Sequence, residues 1–469
     1  MKMGFWRVIV FIGCMGGMLT GASATNVFVV MPGVGTPQSP YTNWATAATN
    51  IQTAINAINT NVGNIVYVSN GTYELTAALS VTKAVTIRSW NNGVVDRTNT
   101  VIKGQAPTVF RCVSLNHADA TLEGFTITNG IADRGGGVYL EVGTVRNCII
   151  AGNTANGAYD DSGGGGGVYI RRIHPSGYLL DSLIYCNKAT NSTEQSMGGG
   201  VMIYSDGIVS NCVIVSNSAD WGGGVTLNHW GGTTGTVVGC EIRDNVGRKG
   251  GGVWNKHMGY IRNCIITGNS ATNGNGGGVC FDEIGNAGVM QNCLITHNRA
   301  TDSGSRGGGV ATVNNTTSIS LENCTICYNQ SDGSGGGVRI HNATGDVINV
   351  ENCIVYYNTA TASTYSNLYI GGSSGGGKYY NNCLGTGGYY GATTSGGCNI
   401  TNAAPVFVST NANNYRLQAG SPCINTGTNE DWMAGAVDLD GHRRIDYFSR
   451  RVDMGAYEYL TSGTMIKVH

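Results

Sequence analysis

One phrase recurs along this chain at intervals of roughly 30 residues: Gly-Gly-Gly-Val, followed later by Asn-Cys-x-Ile-x-x-Asn. The first half places its valine at Val138, Val168, Val201, Val225, Val253, Val279, Val310 and Val338. The second half closes on Asn153, Asn187, Asn217, Asn245, Asn269, Asn298, Asn329 and Asn358. A unit returning at this period cannot bury an apolar face alone and must stack on copies of itself.

Each unit holds two alternating segments. Val138 and Leu140 alternate with Tyr139 and Glu141, and the pair returns as Val168/Ile170, Val201/Ile203, Val225/Leu227 and Val338/Ile340. Cys148/Ile150, Cys212/Ile214, Cys264/Ile266, Cys293/Ile295 and Cys324/Ile326 behave alike. Period-two alternation in short runs is a strand with one buried face. The spacing therefore predicts an all-β solenoid: a right-handed parallel β-helix, its hand set by the general crossover preference. Coils about 4.8 Å apart stack like on like.

Stacking assigns the repeated residues. Cys148, Cys212, Cys240, Cys264, Cys293, Cys324, Cys353 and Cys383 are expected in one interior column, with Ser182 and Phe125 at the same position. A thiol is a small apolar filler there, and no metal is expected. Cys383, Cys398 and Cys423, at or beyond the end of the regular phrase, are the candidate disulfide partners, their pairing open. The closing asparagines are expected at turns, in left-handed conformation, with amides bonded along the column. The glycines serve a sharp bend before a strand. They do not cradle phosphate, which needs a following helix.

Composition agrees. The sequence has 74 glycines, 12% charged residues and a net charge of -1, against about 25% charged for an ordinary domain. No clustered basic surface speaks for nucleic acid. Lys2 and Arg7, the apolar run Val8 to Leu19 and Ala22-Ser23-Ala24 read as a cleaved secretion signal over 1–24. No later segment is a membrane-span candidate. The β-helix is expected over 25–400. Ala48, Ile51, Ile55 and Ile58 give an amphipathic cap helix over 45–59. A small β-rich C-terminal cap follows over 401–469.

That last region resembles the C-terminal signature of secreted bacterial choice-of-anchor Q domain proteins. The pieces are Tyr415-Arg416-Leu417, Gly420-Ser421-Pro422, Asp438-Leu439-Asp440-Gly441 and Asp453-Met454-Gly455-Ala456-Tyr457-Glu458. Ile65 to Ile87, with Asn70-Gly71-Thr72-Tyr73, is similar to the opening of pectate-lyase-like β-helices. The repeats resemble those of chlamydial polymorphic outer-membrane proteins. These resemblances imply a β-helix that is secreted or held at the cell surface, and the function expected of it is non-catalytic: binding of an extracellular polysaccharide or cell-surface glycan, or adhesion.

The variable residues after each Gly-Gly-Gly-Val are the candidate face. They read Tyr139 and Glu141; Tyr169, Arg171, Arg172 and His174; Tyr204 and Asp206; Asn228, His229 and Trp230; Trp254, Lys256 and His257; Asp282 and Glu283; Arg339 and His341. Rings stack on sugars, and cations pair with uronate or sulfate. The binding candidates are Tyr169, Arg171, Arg172, Tyr204, Trp230, Trp254, Lys256, Asp282, Arg339 and His341. The alternative is an enzyme, a polysaccharide lyase before a glycoside hydrolase. A lyase needs a cation, a base and an acid, for which Arg171, Tyr204, His229, Lys256, His257 and Asp282 are the candidates. A hydrolase needs two carboxylates, from Asp282, Glu283, Asp206 and Glu141. The W-x-D-H stretch of pectate lyases and the G-H-G and R-I-K motifs of polygalacturonases are absent. No cofactor is indicated. Asp438-x-Asp440-Gly441 has calcium-type oxygens without the remaining EF-hand ligands, and reads as a turn.

Overall fold

The computed structural model describes residues 25–460, apart from 60–61, 158–162, 172–176, 192–194, 205, 229–233, 283–287, 314–317, 342–346, 364, 372–377, 386–388 and 392–397. The signal segment expected over 1–24 lies outside the described residues.

The chain is a right-handed parallel β-helix. The repeat valines pair in register from coil to coil: Val138 with Val168, Val168 with Val201, Val201 with Val225, Val225 with Val253, and on through Val279, Val310 and Val338. All of them are fully buried in one continuous core. Each such side chain contributes about 1.5–3 kcal/mol by leaving water.

Most regular coils carry four strands where the alternation shows two, one of them only two residues long, such as Lys188–Ala189, Val246–Gly247 or Ser270–Ala271. Between the valine strand and the Cys-x-Ile strand lies another, such as Gly177–Leu180, Gly235–Val238 or Gly259–Arg262. It sends one main apolar residue inward, Leu179, Val237 and Ile261 in these three. One inward residue per strand leaves no period to detect.

The closing asparagines form the expected ladder. Asn153 Nδ2 donates to Asn187 Oδ1, Asn187 to Asn217, and so on through Asn245, Asn269, Asn298 and Asn329 to Asn358, each at 2.9–3.0 Å. Asn367 supplies the last rung from outside the phrase. Their backbone is not left-handed, which corrects the expectation. The residue before each of them is, as at Gly152, Ser216 and Tyr328, and so is the residue before each column cysteine, Gly239 ahead of Cys240 and an asparagine ahead of the others: Asn147, Asn211, Asn263, Asn292, Asn323 and Asn352.

The three glycines have separate reasons. Gly198 has φ +59°. A Cβ on Gly199 would sit 2.4 Å from the carbonyl oxygens of Gly223 and Ser218. One on Gly200 would lie 2.7 Å from Gly224 O and 3.0 Å from Asn217 Nδ2. The third glycine therefore makes room for the asparagine ladder.

The column cysteines are buried free thiols. Cys264 Sγ lies 3.1 Å from Arg262 O and 3.6 Å from Val237 O, and Cys240 and Cys293 repeat the pattern. Cys383 is corrected out of the column. It pairs with Ile354, and Asn382 takes its place, accepting from Cys353 N at 2.8 Å.

The cap helix spans Ile51–Ala57, shorter than 45–59. Asn50 ends it on the N-terminal side, its side chain accepting from Thr53 N, and Ala48 instead bridges to Val29 in extended backbone. Lys83 Nζ donates to the carbonyls of Ile55, Asn56 and Ile58, a cation where the helix dipole favours one.

The C-terminal region contributes one antiparallel hairpin, Phe407–Ser409 with Asn414–Leu417. It lies along the flank of the last coils. Phe407, Tyr415, Cys423, Met454 and Tyr457 pack on outward residues Leu294, Cys327 and Ile354. The left-handed asparagines reach it directly: Asn292 Nδ2 donates to Val437 O, Asn323 to Asp453 O and Asn352 to Thr428 O. Arg444, fully buried, donates to Asn292 Oδ1 and to the carbonyls of Asp453 and Gly455.

Candidate functional site

The second residue of each valine strand points away from the core, so parallel register stacks these residues in a column. It runs Tyr139, Tyr169, Met202, Thr226, Trp254, Cys280, Ala311, Arg339, Tyr369 and Tyr390. At about 4.8 Å per coil the column is about 40 Å long. The residue before each glycine triplet flanks it, including Arg134, Met197, Trp221, Lys249 and Arg306.

Alternation sets which side of the sheet a residue takes, not whether water reaches it. Tyr169, Trp254, Lys256 and Asp282 are buried, which corrects their reading as an open contact surface. Tyr169 and Trp254 join Met197, Met202, Cys280 and Val313 in a second apolar cluster outside the solenoid core. Trp254 packs on Trp221 with centroids 4.7 Å apart, and its Nε1 donates to Asp282 Oδ2 at 3.3 Å. Lys249 Nζ reaches the same oxygen at 3.4 Å, and Lys256 Nζ sits 5.9 Å from the Trp254 ring centroid. The middle of the face is therefore a packed, internally paired cluster.

Its two ends are more open. Near the N-terminal end Arg111 lies over the Tyr139 ring at 4.4 Å, Tyr139 stacks on Tyr169 at 5.4 Å and Tyr169 on Tyr204 at 6.2 Å. Arg171 is exposed and paired with Glu141 at 2.6 Å. Burial pushes the Tyr169 phenol well up, so it is a neutral ring, not an acid–base group, near neutral pH.

At the C-terminal end Arg339 lies over the Tyr369 ring at 4.0 Å. Tyr365, Tyr369 and Tyr390 pack together with centroids 5.1–5.7 Å apart. Arg339 Nη1 donates to Ile340 O at 2.6 Å, while its Nε is buried with no hydrogen-bond partner among the described residues. Burial and the neighbouring Arg306 lower its pKa to about 10. Arg306 and His341 are exposed beside it. An incompletely satisfied guanidinium on a tyrosine cluster, next to a second arginine, is suited to an anion carried on a ring.

The lyase candidates do not converge. Arg171 is held by Glu141 and Asp282 by Trp254 and Lys249, while Tyr204 lies coils away from Lys256, Asp282 and His257. Arg172, His174, His229, Trp230 and Glu283 lie outside the described residues. Sequence reasoning missed Trp221, Lys249, Arg306 and the tyrosine trio. The position before each glycine triplet was a readable signal for the first three.

Two acidic groups lie elsewhere. Asp438, Asp440 and His442 converge, but Asp438 accepts from the backbone of Asp440, His442 and Glu458, and Asp440 pairs with Arg416. Those oxygens tie a turn. Glu351, buried, accepts from Tyr380 Oη. Burial, with Glu430 and Glu322 beside it, raises its carboxyl to about 8.

No protein-family model matches the chain, and no curated protein matches it. A solved pectate lyase, Pel9A, shares the fold, with a TM-score of 0.51 and 16% identity over 94% of this chain and 98% of that one. The pectin methylesterase PemA of Erwinia chrysanthemi aligns at a TM-score of 0.24 and 10% identity, over 79% of this chain and 81% of that one. A pectin methylesterase of Aspergillus niger gives 0.23 and 13%, over 84% and 94%. The first likeness shows the parallel β-helix and nothing finer.

Proposed function

We propose that this protein is a non-catalytic, secreted or surface-held β-helix that binds an acidic extracellular polysaccharide along its valine-strand face. The carrying observation is the Arg339–Tyr369 stack, with Arg306 beside it and Tyr365 and Tyr390 around it. A planar guanidinium pairs a carboxylate or sulfate in two-point fashion, and a tyrosine cluster offers ring faces to the sugar. Arg111 over Tyr139 repeats the element toward the other end. The resemblance to choice-of-anchor Q proteins supports the extracellular setting.

Retention of the full chain on immobilised polygalacturonate and on a sulfated glycan tests this. Arg339→Ala and Tyr369→Ala should each weaken retention about tenfold, the scale of a charge-assisted contact. Unchanged retention rejects the site. Unsaturated, ultraviolet-absorbing products from polygalacturonate would replace the binding reading with the lyase one.

A further inference from the structure

Tyr447 and Phe448 are 79% and 78% exposed, more than any other large hydrophobic side chain among the described residues. They occupy a turn between buried Arg444 and buried Val452 in the C-terminal region. Their rings meet edge to face, 5.4 Å apart at 89°. Arg443, Arg450 and Arg451 are all exposed around them.

The turn is tightly tied. Asp446 Oδ1 accepts from the backbone of Phe448 and of Ser449, both at 2.7 Å. Arg450 N donates to Asp446 O at 3.0 Å, and Asp446 N to Arg451 O at 3.3 Å. Asn429 Nδ2 holds Arg450 O at 2.7 Å, and Ser449 Oγ bonds Asn425 Oδ1. Arg450 sits at φ +54°, an uncommon backbone for a side chain, and these hydrogen bonds hold it there with both rings outward. Much of the entropy of presenting the rings is thus lost during folding and not on binding.

We propose that the tip Asp446–Arg451 docks on an anionic lipid bilayer, the two rings entering the interface and the three arginines meeting head-group phosphates. The perpendicular rings share no plane, so they make no platform for successive sugar faces. Rings exposed around most of their perimeter are suited to a medium that surrounds them, and aromatic side chains favour the membrane interface. Arginines on long stems stay at head-group level while rings go deeper. The segment 443–451 carries three exposed arginines and one acidic residue, Asp446, whose Oδ1 is held by backbone N–H groups, so the patch is complementary to negative charge. No described helix is long and apolar enough to cross a membrane, and the contact proposed is peripheral.

Co-sedimentation of the full chain with vesicles tests it, using phosphatidylcholine alone and phosphatidylcholine mixed with phosphatidylserine. The protein should sediment with the mixed vesicles and be released by salt. Near an anionic surface each arginine is worth about fivefold in partition, so Arg450→Gln/Arg451→Gln should lose at least about tenfold on mixed vesicles. Tyr447→Ser/Phe448→Ser should lose binding to the mixed vesicles, with the melting temperature unchanged. No sedimentation of the wild type overturns the proposal, as does equal binding by the variants. Loss of polygalacturonate retention in the Tyr447/Phe448 variant, with vesicle binding intact, would make the tip a glycan contact and overturns it too.

Discussion

Asn217 Nδ2 donates to Asn245 Oδ1 at 3.0 Å, and the Asn217 backbone N–H donates to the same oxygen at 2.9 Å. One side-chain oxygen thus satisfies two donors of the coil beside it, while Asn245 Nδ2 satisfies Ile214 O and Asn269 Oδ1. Asn245→Leu removes the rung, leaves buried donors without an acceptor, and should cost about 3 kcal/mol or more. Urea unfolding measures it. A loss within error of zero would mean that water or relaxation replaces the ladder.

The glycine triplet gives a sharper steric test. Gly199→Ala puts a methyl against two backbone carbonyls that cannot withdraw without parting coils. Overpacking of this kind costs about 1–3 kcal/mol. Gly304, with open space at its Cβ position, is the control and should change stability by less than about 0.5 kcal/mol on mutation to Ala. The difference between the two midpoints is the readout.

Thiol chemistry follows burial. Of the cysteines from Cys112 to Cys423, Cys186 and Cys398 are exposed and the rest are buried. A thiol reagent should label these two quickly in native protein and the others after denaturation. Cys383 and Cys423 lie thiol to thiol in the buried contact between the last coil and the C-terminal region, and the contact, with burial, raises the Cys423 thiol well above its ordinary value. Fast labelling of either in native protein would show that this contact opens.

How far the sequence could be read depends on whether a constraint repeats. Val225, Asn245 and Gly222 stand at points where every coil needs the same residue, so the stack was visible in the letters. The middle strand was invisible because Val237 or Ile261 alone marks it. Cys383 was misplaced because the last coil shifts its phrase by one residue, and Asn382 serves the cysteine position equally well as an acceptor. Trp254 and Lys256 lie on the expected side of the sheet but out of solvent, since exposure there depends on Trp221 and Met197 of the preceding coils.

Trp254 therefore separates stability from function. Trp254→Ala empties a buried site and leaves Asp282 without its indole donor, a change worth about 3–5 kcal/mol. Melting temperature should fall sharply. Arg339→Ala, at the partly open end, should leave melting nearly unchanged while weakening glycan retention. The reverse pattern would relocate the contact surface to the middle coils.

The contact of the C-terminal region should be sensitive to alkali. Burial raises Glu458 to about 9 against the pull of Arg444, whose Nη2 is 3.2 Å from Glu458 Oε1, and raises Asp453 to about 6. Glu351, in the last coils, is raised to about 8. A carboxyl whose pKa is higher folded than unfolded keeps its proton in the folded state while the unfolded chain gives it up. Stability contributed by these groups is therefore complete below about pH 4 and is lost as pH rises through the folded values, for Asp453 by about pH 6 and for Glu351 and Glu458 between about pH 5 and 9. Glu458→Gln mimics the protonated acid, since Oε1 can still accept from Arg444 and from Asp453 N. It should be nearly neutral at pH 5 and stabilising at pH 9. Hydrogen exchange of Asp453 to Tyr459 against pH measures this: wild-type protection should fall toward pH 9, and the variant should fall less. Parallel curves would place the loss on other groups and would mean that Glu458 is ionised beside Arg444 throughout.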